Sequence, residues 1–386
     1  MGGNRRPGIR AGIDDDRERL MRSDRVLDGI FGVLGPRISH CTMYSIGRPI
    51  TQHYRTFLST DSRGGLDGSG WTKAPPLLDS TVFQDRITLP PPPSFPPFPG
   101  WARASTPSEA AFLAGAALSA ISPIARNRHP LGELWRQRLA LINAAALARQ
   151  AGRTEDEAEL RDAWYLRNGN DPGPGGRILA AWRALSQRAA LRCEDWPRFL
   201  SAAFELRQDA ALEAVVARAT KLAQGEGTFV AAAEIAAISM KLRPDCEPLA
   251  LWLADAVLAQ RLRWPAPVPL IAKEVRRADL RGAPRHLEGD GAWLTALSLA
   301  YARAAASACD LYGELARRAA ILITAAPKLR SKDADRTLAI LLSEDAQPAV
   351  AGKASDRSSR RLFERLVALG AARELTGRPT FRLYGL

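Results

Sequence analysis

The residues best suited to a chemical role are arginines near the end of the sequence. Arg357, Arg360, Arg361 and Arg365 recur at helical spacing, so the polar side of one helix would carry all four. Guanidinium groups in such a row can contact phosphates, or guanine edges in the major groove of DNA. Arg378 follows in a predicted hairpin turn, from which it can enter the flanking minor groove. These five arginines are the candidate nucleic-acid-binding residues.

The local charge agrees with this interpretation. Residues 351–386 hold eight basic and three acidic side chains, a net charge of +5 in 36 residues, and the whole chain of 386 residues carries +13. A clustered basic patch is the electrostatic footprint of a nucleic-acid-binding protein. One alternative stays open, in which the arginines only solvate a helix face or pair with the rest of the protein.

A helix is needed to hold the arginines, and the sequence predicts one over residues 357–369. An apolar stripe opposes the arginines, and Gly370 follows at the usual position of a helix C-terminal glycine. The stripe consists of Leu362, Phe363, Leu366 and Leu369. Two short strands, 371–376 and 380–384, flank a glycine-containing turn and predict a hairpin. With an upstream helix over 333–342, this order is typical of a winged-helix-like domain.

A glycine-rich segment over residues 170–177 is a second candidate, because backbone N–H groups ahead of a helix can hold an anion. It lacks the Lys-Ser/Thr ending of a phosphate-binding P-loop, and it follows a predicted helix instead of a strand. We therefore favour a tight turn between helices, in which Asp171 caps the next turn or pairs with Arg177.

Two carboxylates, Glu247 and Asp255, belong to a strongly apolar predicted helix. Paired carboxylates can perform acid–base chemistry. Their separation of eight residues and the nearby arginines instead favour a helix-dipole interaction and a surface ion pair.

Histidine and cysteine give little material for a metal or catalytic centre. His129 and His286 have no second ligand at metal-binding spacing. Cys193, Cys246 and Cys309 are predicted to be small apolar core residues in a reducing compartment. The sequence also lacks a dinucleotide fingerprint and a nucleophile elbow. We therefore expect no enzyme: no catalytic residue, no metal and no cofactor.

Composition divides the chain into four parts. Residues 1–89 are predicted to be a disordered arm or a start-site extension, with Met43 as an alternative start. Residues 90–105 form a proline-rich spacer of polyproline II character, or a ligand for an aromatic-lined groove. Residues 106–326 are predicted to be an all-α body, and residues 327–386 the winged-helix-like tail.

The body begins with a helix-start signal, Thr106-Pro107-Ser108-Glu109, which is typical of a capping box. A long helix is predicted from near Asp290 to just before Pro327. The other predicted helices lie near 107–121, 131–151, 155–166, 176–190, 196–206, 209–223, 228–241 and 247–262. They show no repeat, so we expect a mainly α, irregular multi-helix bundle. No uncharged apolar run of about 18 residues exists, so no spanning helix is expected.

Several motifs, taken together, resemble the bacterial family known as domain of unknown function 1403, over roughly residues 95–386. They are Asp171-Pro172-Gly173-Pro174, Pro248–Leu258 with Leu262–Pro265, Arg360–Leu366 and Phe381–Leu386. The resemblance implies a family without an established activity, so it assigns no catalytic residue.

The leading hypothesis is a cytoplasmic accessory or regulatory protein that binds double-stranded DNA through its basic tail. The alternative is a helical scaffold for protein–protein interaction with no nucleic-acid role. No membrane partner is expected, and a protein partner or homo-oligomer stays open.

Overall fold

The computed structural model describes residues 106–126, 131–166, 171–187, 196–275, 277–281, 291–329, 333–349, 356–377 and 381–386. All of them belong to one compact unit, Leu66–Leu386. The predicted arm and spacer lie outside the described residues. So do His129, His286, Cys193 and Arg378.

The described chain is mainly helical, as the sequence predicts. The α-helices are α1 Pro107–Arg126, α2 Gly132–Gln150, α3 Glu157–Tyr165, α4 Gly173–Leu185, α5 Trp196–Phe204, α6 Ala210–Gln224, α7 Thr228–Leu242, α8 Glu247–Arg261, α9 Arg277–Arg281, α10 Gly291–Ala325, α11 Ala334–Ser343 and α12 Asp356–Ala368. Short 3₁₀ helices cover Ile271–Lys273 and Ala326–Lys328. Among the described α-helices only the five-residue helix α9 was not predicted, since it is too short to show an apolar period.

The start of α1 has the predicted capping box: the N–H of Glu109 donates to Oγ1 of Thr106, and the N–H of Thr106 donates to Oε2 of Glu109, both at 3.3 Å. The helix passes Pro123 and ends at Arg126, five residues beyond the predicted end. By length and composition α1 is apolar enough to cross a membrane. Here its alanine-rich face packs on α10, and core helices pass the same test of length and composition.

Buried tryptophans fix the helices of the body to one another. In three of them the indole N–H donates to a main-chain carbonyl of a neighbouring helix, which satisfies the polar atom of an otherwise apolar side chain. The pairs are Trp135 with Ala308 at 2.9 Å, Trp252 with Ala181 at 3.0 Å, and Trp293 with Ala233 at 3.0 Å. These bonds join α2 to α10, α4 to α8, and α10 to α7.

The last part of the chain adds a small antiparallel sheet to the helices. Its strands are β1 Gln347–Pro348, β2 Arg373–Glu374 and β3 Leu383–Gly385, in the order β1-β3-β2. In register, Tyr384 lies opposite both Gln347 and Glu374. The predicted hairpin is therefore present as β2 and β3, with shorter strands. Strand β1 was not predicted, because two residues cannot show strand alternation.

Candidate nucleic-acid interface

Helix α12 separates its apolar and basic residues onto opposite sides. Its inner side buries Leu362, Phe363 and Leu366. The candidate residues Arg357, Arg360, Arg361 and Arg365 are all exposed. We call these four residues the basic face. The apolar stripe that predicted the helix thus also sets the direction in which its arginines point.

Three residues of the basic face form a straight row. Arg357, Arg361 and Arg365 are four residues apart, which places them about 6 Å from one another along the helix axis. Within the described residues, no carboxylate forms an ion pair with any of these three. Glu364 is exposed on the same side, and α12 as a whole carries four arginines and two acids. The face is therefore cationic, with one carboxylate inside it.

The arginines of the hairpin are partly neutralised. Nη2 of Arg373 lies 3.9 Å from Oε1 of Glu314 and donates to the main-chain oxygen of Leu386 at 3.3 Å. Nη1 of Arg382 lies 3.5 Å from Oε2 of Glu374. Burial lowers the pKa of Arg373, and the nearby Arg318 charge lowers it further. The exposed positive charge of the tail accordingly lies on α12 more than on the described part of the hairpin.

The hairpin is packed directly against α12. The rings of Phe363 and Tyr384 are stacked, with centroids 4.4 Å apart and an interplanar angle of 13°. Both side chains are buried. This contact fixes β3 relative to the helix that carries the basic face.

A buried ion cluster fastens the tail to the body. Asp345 follows α11 and has a fully buried side chain. Its Oδ1 accepts from Nε of Arg138, on α2, and its Oδ2 accepts from Nε of Arg161, on α3, at 2.7 Å. Nη2 of Arg183, on α4, lies 4.0 Å from Oδ2. One carboxylate thus links the tail to three helices, and we call these four residues the Asp345 cluster.

Charge sets the ionisation of the cluster. Burial raises the pKa of Asp345, but the positive charges of Arg138 and Arg161 outweigh burial and hold that pKa well below its ordinary value. Burial also raises the pKa of Tyr165 to about 12. The Tyr165 hydroxyl accepts from Nη2 of Arg183 at 3.0 Å and from the N–H of Ala346 at 3.2 Å. The cluster therefore keeps its charges and fixes the backbone beside Asp345.

The Asp345 cluster is not predicted from the sequence. The weak signal available was the presence of arginines inside otherwise apolar helices: Arg138 lies in α2, where nearly every residue is buried. A buried arginine needs an acidic partner. Nothing in the sequence shows that the partner is Asp345, because 207 positions separate it from Arg138.

The prediction that Asp255 forms a surface ion pair is wrong. Asp255 is buried in α8, and its Oδ2 accepts from the N–H groups of Leu270 and Ile271 at 2.8 and 3.4 Å. The chain after α8 folds back over this helix, and the carboxylate caps the 3₁₀ helix that follows. Burial raises the pKa of Asp255 to about 7. Burial and the Asp255 charge also raise the pKa of Tyr301, which is buried in the same core.

The glycine-rich turn has the predicted structural role. Oδ1 of Asp171 accepts from the N–H of Gly173 at 3.0 Å, and its Oδ2 accepts from Nη1 of Arg177 at 2.6 Å. A Cβ atom on Gly176 would lie 2.5 Å from Cβ of Pro172, so the close start of α4 requires glycine. Both described cysteines, Cys246 and Cys309, are buried as predicted, and burial raises the pKa of each thiol to about 11.

An acidic cleft of about 410 Å³ lies beside this turn. Three of its carboxylates already have partners: Glu155 pairs with Arg153, Glu159 completes the capping box of α3, and Asp171 pairs with Arg177. Over the described residues, no group of three or more His, Cys, Asp and Glu side chains is placed to hold a metal ion.

Comparison with known proteins identifies one family. A sequence model of the family described as protein of unknown function (DUF1403) matches residues 91–386. No curated protein matches the chain.

Proposed function

Because the chain belongs to the DUF1403 family, which has no assigned function, we propose from the geometry of its tail that it is a nucleic-acid-binding accessory or regulatory protein. The observation that carries this proposal is the open basic face of α12. Arg357, Arg361 and Arg365 are exposed and have no carboxylate partner among the described residues, although carboxylates pair with arginines in the hairpin. Charges left exposed in a row are available to phosphates.

The dimensions of α12 suit duplex DNA. An α-helix with its side chains is about 10–12 Å in diameter, and the major groove of B-DNA is about 12 Å wide and admits one. The row of three arginines extends about 12 Å along the helix axis. We interpret α11, β1, α12, β2 and β3 as a winged-helix-like unit, in which α12 enters the groove. In this arrangement Arg378, between β2 and β3, acts as the wing. The working compartment is then the cytoplasm.

A salt titration tests the proposal. Fluorescence anisotropy of a labelled DNA duplex measures the affinity of the full chain between about 50 and 200 mM salt. The logarithm of affinity should fall linearly with the logarithm of salt, by about 0.9 for each phosphate that is neutralised. The double variant Arg361→Gln/Arg365→Gln should reduce that slope by about 2.

A matched control separates the basic face from net charge. Arg198 on α5 and Arg317 on α10 are also exposed, so Arg198→Gln/Arg317→Gln removes the same charge from the body. This control should leave the slope unchanged. Equal slopes for the wild type and the α12 variant, or a salt-independent affinity, would end the proposal.

The scaffold alternative keeps one observation in its favour, namely that the tail is docked on the body. Asp345 is buried against α2, α3 and α4, and Arg373 lies beside Glu314 of α10. A protein-interaction scaffold, whether for another chain or for a second copy, needs such a rigid tail but not free cations. Absence of salt-dependent DNA binding would favour the scaffold, and light scattering of the full chain would then report self-association.

A further inference from the structure

One aromatic residue of the tail is exposed and packs on none of the residues that the structure describes. Phe381 lies two residues before β3, and 76% of its surface is exposed. Arg382 is also exposed, and the four residues after it are buried. It makes no ring contact with any described residue. Large aromatic side chains contribute most to folding when they are buried. Folding alone therefore does not account for phenylalanine at this position.

The backbone of Phe381 is also unusual. Its φ angle is +55°, in the left-handed region, where residues other than glycine are uncommon. Glycine or asparagine would adopt this conformation more readily. Phenylalanine there is both strained and exposed, and strained backbone clusters at ligand-contact sites.

The residues that follow Phe381 support it rigidly, and one partly exposed arginine lies beside it. Three residues further on, Tyr384 is stacked on Phe363 of α12. Leu383 is fully buried, and Arg382 beside Phe381 keeps 46% of its side chain exposed. An exposed aromatic ring is the kind of group on which proteins stack nucleobases.

We propose that Phe381 stacks on a nucleobase with an exposed face, so that the tail prefers duplex DNA continued by an unpaired strand over fully paired duplex. This inference rests on the proposed function, in which the basic face holds the phosphates of the duplex. Inside a paired duplex each base is covered by its neighbours, whereas the first unpaired base offers its face. Stacking on an aromatic ring accepts any base, so the preference is for structure and not for sequence.

The test uses two probes and the full-length chain. One probe is a duplex with a single-stranded overhang that carries 2-aminopurine at its first unpaired position, and the other is closed circular duplex DNA as a competitor. The wild type should quench 2-aminopurine and prefer the overhang by about tenfold. Phe381→Ala should abolish the quenching and the preference while binding closed duplex as the wild type does. Phe381→Trp should retain both.

Val367 supplies the matched control, because it is an exposed apolar residue of α12 with 42% of its surface accessible. Val367→Ala should behave as the wild type. An overhang preference that survives Phe381→Ala, or no preference in the wild type, would overturn this inference while salt-dependent duplex binding still supports the proposed function. Loss of all salt-dependent binding would instead contradict the proposed function itself.

Discussion

Nε of Arg161 lies 2.7 Å from Oδ2 of Asp345, although 184 positions separate the two residues in the sequence. The carboxylate is fully buried, and Arg138 and Arg183 approach it from two further helices. Burial of a charge is costly unless partners and hydrogen bonds compensate it. This contact therefore makes the position of the tail depend on the folded state of the body.

Removal of the Asp345 charge should weaken the whole fold. Asp345→Asn leaves the buried guanidinium groups of Arg138, Arg161 and Arg183 without their shared anion. Breaking a buried ion pair from one side costs about 3–5 kcal/mol. Urea unfolding at neutral pH measures this loss.

Asp310 provides the comparison for that experiment, since it is an exposed aspartate of α10. Asp310→Asn should change the free energy of unfolding by less than about 0.5 kcal/mol. A similar loss in both variants would mean that the Asp345 cluster contributes nothing specific.

Gly385 should not tolerate a side chain. A Cβ atom there would lie 2.5 Å from the main-chain oxygen of Asp345 and 2.8 Å from Cδ1 of Leu375. We expect Gly385→Ala to destabilise the protein by about 1–3 kcal/mol, because backbone must move to admit the methyl group. In Gly115→Ala the new Cβ meets nothing within 4 Å in α1, so thermal unfolding should show a gain of about 0.5–1 kcal/mol.

The stack of Tyr384 on Phe363 should be essential for holding the hairpin against α12. Tyr384→Ala removes a buried ring, which costs about 3–5 kcal/mol. Tyr384→Phe keeps the ring and should preserve stability to within about 1 kcal/mol. Trypsin cleavage after the exposed arginines of α12 should accelerate only in the alanine variant. Equal cleavage rates in both variants would show that the stack does not order the helix.

Stability should fall as the pH rises from about 4 to about 7, because of Asp255. Its pKa is about 7 in the folded protein, against about 3.9 for an unfolded chain. Between those values the folded state holds a proton that the unfolded state has lost, which favours folding at the acidic end. The difference across this window is at most about 4 kcal/mol. Urea unfolding at pH 5 and pH 8 measures the upper two pH units of this window, where the expected loss is at most about 3 kcal/mol.

The variant Asp255→Asn keeps an acceptor for the N–H groups of Leu270 and Ile271 and removes the titration. Its stability should change less between pH 5 and pH 8 than that of the wild type. A smaller slope of the same sign should persist, because burial also raises the pKa of Glu344. An unchanged slope in Asp255→Asn would contradict the role assigned to this carboxyl group.

Local pattern was sufficient to predict the helices and the orientation of the basic face. The stripe of Leu362, Phe363 and Leu366 both defines α12 and leaves its arginines outside. The hairpin followed from Gly377 and the short apolar runs around it. These features depend on neighbours within one or two turns, which a single sequence displays.

The two buried aspartates could not be predicted in the same way. The burial of Asp345 and Asp255 is decided by partners that are distant from them in the sequence or follow them outside their own helix. Arg138 and Arg161 bring Asp345 inside, and the N–H groups after residue 269 hold Asp255. Strand β1 belongs to the same class, since it exists only through its pairing with β3.

The central place of β3 in the order β1-β3-β2 has a consequence for biosynthesis. The ribosome synthesises β1 and β2 before β3, so neither early strand has its hydrogen-bonding neighbour until β3 has been made. Likewise, Arg138, Arg161 and Arg183 have no access to their shared carboxylate until Asp345 has been synthesised. Packing of these helices around the carboxylate therefore follows their synthesis. We expect a folding stage in which the helices have formed and the tail has not yet docked.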